Sequence, residues 1–573
     1  MTQRAIPHLA SALETAVAHL LSRREPEGFW RGRLSASALA TATAVSALLL
    51  GGEAADRPLI RAGIAWLRAA QRADGGWGDT PESPSNLPTT LLVLAAFRLA
   101  GEPDSAADRR YAVARAGRTP AEWRAAILRS YGADRTFAVP ILMHGALAGL
   151  TPWAGIPDLP FELAAVPRAW YPALRLRVVS YALPALIAVG LLLDDRRPPR
   201  HPLLRAARRL AAPRVLDTLA RIQPEHGGFL EAAPLTAFVA MALIGRFGAA
   251  HPVARRCLAF LRDGVRADGS WPIDTDLSVW VTTNALTALG AAGALEAIDV
   301  PAMRRWVAAR QYTAEHPYTG AAPGGWGWTH RPGGVPDADD TAGAMLALAR
   351  LGETAPLAAG ARWLRGLQNR DGGWPTFCRG WGRLPFDTSA PDVTAHAVRA
   401  LRAAGVGDAA RRRGMAYLEA AQGADGAWTP LWFGNQATAD GTNRTYGTAR
   451  VLRAYAVLAP DALAAHRGVA WLVGAQREDG GWGGGVEAPS TIEETALALS
   501  ALADWPQAPG VAEALTRGTA YLLRRIEAGS WTISAPIGLY FARLWYDEAL
   551  YPVVWTVEAL GRMRHIFGEA VDR

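Results

Sequence analysis

A chain of 573 residues, half of them hydrophobic and 20% charged, is too apolar to be intrinsically disordered, and its length alone predicts about four domains. Its formal charge of +8 rests on 60 basic residues, all arginine, which reads as a GC-rich coding bias rather than a surface built for nucleic acid. Two cysteines, Cys257 and Cys378, stand far apart and outside any zinc-ligand spacing, so neither a disulfide framework nor a metal knuckle is expected, and a reducing compartment is the default.

Tryptophan, at 22, outnumbers tyrosine and phenylalanine at 13 each, and a repeat accounts for it. The opening MTQRAIPHLASALETAVAHLL has no basic patch followed by an apolar core and a small-residue cleavage site, so no secretion signal is expected. A first weak copy of the repeat closes at Trp30, and RAGIAWLRAAQRADGGWG ends near Trp77. After a degenerate stretch comes the apolar run VVSYALPALIAVGLLL, residues 178–193. It is interrupted by Pro184 and shorter than the roughly 20 residues that span a bilayer, so a buried core helix is expected. The next segment, to about residue 222, mixes arginines with leucine pairs at helical spacing. It reads as an interfacial helix presenting Arg205, Arg208 and Arg209, against the plainer reading of an exposed basic linker.

Weaker copies close at Phe229, Trp271 and Trp326, strong ones at Trp374, Trp428 and Trp482, and a last weak one at Trp531. Each copy reads as an amphipathic helix A-x-x-W/Y-L, then Gln, then D-G-x-W, then an Ala/Leu-rich helix opened by Ser or Thr. The unit is a helical hairpin. Glycine is expected to end its first helix in a left-handed cap, tryptophan to fold back over the turn, and the Gln amide to bond backbone groups at the next helix start. Alternating apolar helices without period-two runs predict an all-α fold of stacked hairpins closed into α/α barrels.

Between Trp326 and Trp374 lies VPDADDTAGAMLAL, which puts Asp337, Asp339 and Asp340 just ahead of an apolar helix. Taken alone, such a cluster is an N-cap with acidic residues in the first turn. Three carboxylates within four residues of a low-dielectric site cannot all ionise cheaply, so the cluster is expected to retain a proton. Further on, DTSAPDVTAHAV contains His396, and NRTYGTARV contains Tyr446.

The phrase G-x-x-W/Y-L-x-x-x-Q-x-x-x-G-x-W, preceded by Arg in two of the strong copies, resembles the QW repeat of squalene-hopene and oxidosqualene cyclases, the class II triterpene cyclases. The acidic cluster resembles their D-x-D-D-T-A motif. The resemblance implies two α/α barrels: residues 1–20 as a strap joining the catalytic barrel, 21–274 as the second barrel, and 275–573 as the catalytic barrel. It implies Asp339 as the proton donor, flanked by Asp337 and Asp340, with His396 as its supporting histidine and Tyr446 supplying protons through water. It places Trp280, Trp328 and Trp432 on an aromatic wall. Phe377-Cys378 matches either a wall tyrosine or an entrance Phe-Cys pair. A wall position of the family falls at Met143 or His144. Tyr540, Phe541, Trp545, Tyr546 and Tyr551 replace a Phe-rich segment, with Tyr540 and Tyr546 taken as substrate contacts.

The implied reaction is protonation of a terminal alkene of a squalene-type polyprenoid followed by cationic cyclisation, with no cofactor and no metal. The implied setting is cytoplasmic, attached peripherally to the inner face of the cell membrane, with a polyprenoid lipid and the membrane surface as partners, no nucleic acid, and room for a homodimer. Other readings stay open. A cyclase of a shorter prenyl chain, prenyl diphosphate or meroterpenoid would share the acid. A non-catalytic QW-repeat isoprenoid-binding protein would keep the tryptophans and lose the acid network. A protein prenyltransferase β-subunit would need a zinc set that neither cysteine fits.

Overall fold

The computed structural model describes residues 6–103, 105–132, 134–167, 170, 180–377, 385–539 and 543–568. Its helices fall into two classes that the sequence already separates. In Ala38–Gly51 every residue from Ala38 to Leu48 is buried, whereas in Arg57–Ala69 only Gly63, Ile64 and Leu67 are. A helix that is apolar all round must be surrounded, and one with a single apolar stripe covers it. The first kind forms inner rings and the second kind jackets them.

Six inner helices, Ser278–Ala292, Ala338–Arg350, Pro391–Ala403, Arg444–Leu458, Ile492–Leu502 and Tyr551–Phe567, each pack on the next and the last on the first, closing a ring. Outside them lie Val300–Ala308, Leu357–Leu367, Asp408–Ala420, Leu463–Gly474 and Val511–Glu527. The sixth outer place is filled from the other end of the chain, by Leu9–Ser22 packed on Tyr551–Phe567. Trp30 and Leu34 belong to the same core, so this N-terminal contribution runs past the boundary expected at residue 20. The Trp30 N–H donates to the Thr282 hydroxyl at 3.0 Å, and the Arg33 N–H donates to Glu548 at 2.6 Å, which pins the segment to the C-terminal barrel.

Among the described residues the other barrel has five inner helices, Ala38–Gly51, Leu87–Ala100, Arg135–Leu147, Leu183–Arg196 and Ala233–Phe247, again packed in a ring. Leu183–Arg196 is the apolar run of the sequence; it is a core helix, and no helix among the described residues is long and apolar enough to cross a membrane. The outer helix Pro202–Ile222 exposes Leu203, Arg205, Arg209 and Leu210. Arg208 does not share that face. Helical phase turns it inward with Ala211 and Val215, where it pairs with Glu162 and Asp194, both at 3.1 Å.

One repeat shows how the hairpins are stapled. Trp374 donates its indole N–H to Leu364 O at 2.7 Å, folding back onto its own outer helix. Gln368 donates to Gly372 O at 2.7 Å and to Ala410 O, in the first turn of the next outer helix, at 2.9 Å. Leu357–Leu367 ends without the expected glycine cap. The left-handed glycine, Gly372 at φ +94°, sits four residues past Gln368, and a Cβ there would lie 2.5 Å from the Arg413 carbonyl. That glycine serves close approach between repeats. The Trp374 backbone N–H then donates to the Thr394 hydroxyl of the following inner helix at 2.9 Å. Thr282, Thr341, Thr448 and Thr495 take the same bond from Trp30, Trp326, Trp428 and Trp482.

Candidate active site

These threonines set a common register around the C-terminal ring. Two residues before each stand Trp280, Asp339, Asp392, Tyr446 and Glu493; two residues after stand Asn284, Gly343, His396, Arg450 and Leu497. The T-A shared by DDTAG, DVTAH and YGTAR is thus the structural part, and chemistry occupies the flanking positions.

Trp326 builds the acidic turn directly: its carbonyl accepts the Asp337 N–H at 3.0 Å while its N–H holds Thr341. Asp337 is the N-cap of Ala338–Arg350, accepting the Asp340 N–H at 2.8 Å. Asp337 Oδ2 and Asp340 Oδ1 are buried with no hydrogen-bond partner among the described residues. Burial raises Asp337 to about 7, and burial with the Asp337 charge raises Asp340 further, so this pair keeps a proton. Asp337 and Asp340 are 2% and 6% exposed, whereas the Asp339 side chain is 15% exposed, into a cavity.

Asp339 Oδ1 lies 2.6 Å from His396 Nδ1 and 4.0 Å from Arg450, and Arg450 Nη2 lies 3.3 Å from the same imidazole nitrogen. Burial by itself would raise Asp339; His396 and Arg450 outweigh it and hold the carboxyl below its ordinary range. Burial pushes His396 down to about 4, with Asp339 opposing and Arg450 assisting. Asp392, one turn before His396 on the same helix, is raised to about 7 by burial and then by the Asp339 charge.

The cavity lies between the barrels, at the N-terminal ends of inner helices from both: Leu39, Leu92, Ala185 and Pro234 on one side, Trp280, Asp339 and Val393 on the other. Trp280, Trp328, Phe377, Trp432 and Tyr546 all line it, together with Phe386, Phe433 and Tyr551. Phe377 sits edge-on to Trp432 at 5.1 Å between ring centroids, and Trp280 stacks with Phe433 at 6.2 Å. Cys378, Tyr540 and Phe541 lie outside the described residues. Trp545 is not in the lining; its N–H donates to Asp79 of the other barrel at 2.9 Å.

One expectation changes. Met143 and His144 do not reach the cavity: both are fully buried in the N-terminal barrel, His144 bonded to Ser46 at 2.8 Å, and the wall is made one turn earlier by Phe137, Pro140 and Ile141. Tyr446 is buried with its ring 4.7 Å from Phe433 and 5.7 Å from the Arg450 guanidinium. Sequence reasoning missed Arg450 and Asp392, each one helical turn from a residue it had named. It also missed Asp274, a buried carboxyl in the lining that takes the Trp328 indole N–H at 3.1 Å and that burial raises well above its usual range.

Among the described residues no group of three or more His, Cys, Asp or Glu side chains could hold a metal ion. The arrangement is a carboxyl backed by an imidazole and a guanidinium, opening on an aromatic, water-poor space. It can deliver a proton to a weakly basic acceptor.

The squalene-hopene cyclase C-terminal domain model matches residues 277–565, carrying Asp339, His396 and Arg450, and the corresponding N-terminal domain model matches residues 13–211. The chain belongs to the squalene-hopene cyclase family. A prenyltransferase alpha-alpha toroid domain also matches residues 209–323. The chain is 27% identical to a terpene cyclase-glycosyl transferase fusion protein of Humicola fuscoatra over 96% of its own length, and spans 49% of that longer protein. It is 27% identical to squalene–hopene cyclase of Alicyclobacillus acidocaldarius over 78% of each chain. Among solved structures, ent-copalyl diphosphate synthase from Streptomyces platensis shares the fold, with a TM-score of 0.59 at 22% identity over 98% of this chain and 100% of that one.

Proposed function

We propose that this member of the squalene-hopene cyclase family is a class II terpene cyclase that protonates the terminal alkene of a squalene-type polyprenoid and lets the resulting cation cyclise against the aromatic wall. The observation that carries the reading is Asp339, the cavity-facing carboxyl of its cluster, held at 2.6 Å by His396 at the edge of an aromatic chamber.

The chemistry follows from that contact. Imidazolium–carboxylate and imidazole–carboxylic acid contain the same number of protons, so Asp339 and His396 titrate as one unit. Burial favours the uncharged arrangement, with the proton on the carboxyl, and Arg450 opposes it, so the acid acts once the pair has taken up a proton. When that proton adds to an alkene carbon, the C=C π pair forms the new C–H bond and leaves a tertiary cation. The carboxylate left behind is met by the His396 N–H, the Arg450 charge and the N-terminus of its own helix. The faces of Trp280, Trp328, Phe377 and Trp432 offer the migrating cation π density without a nucleophile to trap it, at about 0.5–2 kcal/mol each.

An uncharged chain suits a lining that is aliphatic and aromatic apart from the acid end, Asp274, Thr376, Thr136 and a few tyrosines. A second reading, a prenyl diphosphate substrate, is favoured by the fold shared with ent-copalyl diphosphate synthase. Separate incubations with squalene, oxidosqualene and geranylgeranyl diphosphate, read by mass spectrometry beside an Asp339→Asn control, decide between them. A cyclic product from squalene that the control loses by roughly 10³-fold or more supports the first reading. Conversion of the diphosphate alone would replace it.

A further inference from the structure

Behind His396, on the side away from the aromatic cavity, the C-terminal barrel encloses a second chamber of about 340 Å³. Its walls come from the same repeat register, two and five residues past each threonine. The first layer supplies Asn284, His396 and Arg450, and the second supplies Arg399, Arg453 and Ser500. Polar side chains therefore fill the axis of a ring whose other faces are apolar.

The charges in this chamber do not balance. Arg453 is satisfied by Glu558 at 2.7 Å and Asp504 at 3.4 Å, and Arg450 leans toward Asp339 at 4.0 Å. Arg399 has no carboxylate within ion-pair distance and no hydrogen-bond partner among the described residues. Burial, then Arg453 and Arg450, push its guanidinium down to about 9, so it still carries charge at neutral pH. Helix dipoles do not supply the missing counter-charge. Arg399 stands a full turn inside Pro391–Ala403, and the dipole's effect is confined to the last turn. Half-buried beside two other guanidiniums, Arg399 carries five N–H donors for which the described chain provides no acceptor.

We propose that this chamber is a binding site for a small inorganic anion, of the size of chloride or phosphate, seated on Arg399 and drawn in past Arg350, an exposed residue of the same lining. The anion stands on the far side of His396 from the substrate and touches neither substrate nor reacting carbon. It supplies the acceptor that Arg399 lacks and offsets part of the positive field that Arg450 and Arg399 exert on His396. The structural claim is independent of the cyclase assignment; only an effect on turnover rests on it.

Isothermal titration of inorganic phosphate into the full chain, in a zwitterionic buffer at pH 7.5, is expected to give one saturable site per chain, displaced by chloride. Arg399→Gln should weaken that site at least tenfold. Ser500→Phe, which fills the chamber without changing its charge, should do the same and serves if Arg399→Gln does not fold. Absence of saturable binding to the wild-type chain, or unchanged affinity in the variants, overturns the proposal and leaves a chamber solvated by water alone. Where the cyclase reaction is active, phosphate at saturating concentration should alter kcat in the wild type and not in Arg399→Gln. An inactive protein that still binds phosphate would sink the cyclase reading and keep the site.

Discussion

Arg450 sets how strong an acid Asp339 is. Of the forces on that carboxyl, burial favours the protonated form, while His396 and Arg450 favour the ionised one. Only the protonated carboxyl can donate, so turnover should be greatest on the acid side of the Asp339–His396 transition and fall as pH rises through it. Arg450→Leu removes a cation that lowers the Asp339 pKa. The descending limb should therefore move to higher pH while the maximal rate drops by about 10- to 100-fold, because the acid is weaker and its carboxylate less well held. A pH–rate profile of the variant checks both signs; an unshifted limb would mean that the guanidinium acts only as packing beneath Trp280 and Tyr446. His396→Ala should slow turnover more, since it removes the direct 2.6 Å partner, with substrate retention in the cavity measured by co-sedimentation as the control.

At the scale of the element, the staples between repeats carry a testable load. Gly414 faces Trp374 so closely that an added Cβ would lie 2.8 Å from the indole Cζ3 and 2.6 Å from Val398 Cγ1. Gly414→Ala therefore overpacks a rigid contact at about 1–3 kcal/mol. That outweighs the roughly 1 kcal/mol that alanine gains over glycine inside a helix. A lower melting temperature with unchanged activity per folded molecule is expected, and a higher one would show that the hairpins slide apart freely. The hairpin was legible because tryptophan, glutamine and glycine recur at fixed spacing, and His396 and the acid cluster because they stand in recognisable phrases. Arg450 and Asp392 were within reach of helical periodicity, one turn from Tyr446 and His396, once the shared T-A is seen as the anchor. Asp274 was not, since its meeting with Trp328 depends on how a loop folds across a barrel mouth. The misplacement of the wall at Met143 and His144 has the same origin. Which face of a fully apolar inner helix looks into the cavity is decided by barrel geometry, not by hydrophobic pattern.

For the whole molecule, the outer face of Pro202–Ile222 is where we propose attachment to a membrane surface. Leu203 and Leu210 are 73% and 79% exposed there, on either side of Arg205 and Arg209. Anionic lipid offers about 1 kcal/mol per basic residue near its surface. The protein is expected to float with anionic liposomes at low salt, less so at high salt, and less so again after Arg205→Glu with Arg209→Glu. Arg208 is left intact because its loss would break the buried pairs to Glu162 and Asp194 rather than test the surface. Recovery of all protein in the soluble fraction at low salt would end that proposal. The closing of the C-terminal ring by the chain's own beginning bears on how the molecule comes into being. The bond from Arg33 to Glu548 joins positions 515 apart, and Leu9–Ser22 leaves the ribosome long before its partner, Tyr551–Phe567. The described inner helices of the N-terminal barrel end with Ala233–Phe247, so that ring can form while translation continues. The acid-bearing barrel cannot close until Tyr551–Phe567 has been made, so a nascent chain interrupted before that helix holds an N-terminal ring but no sealed reaction chamber.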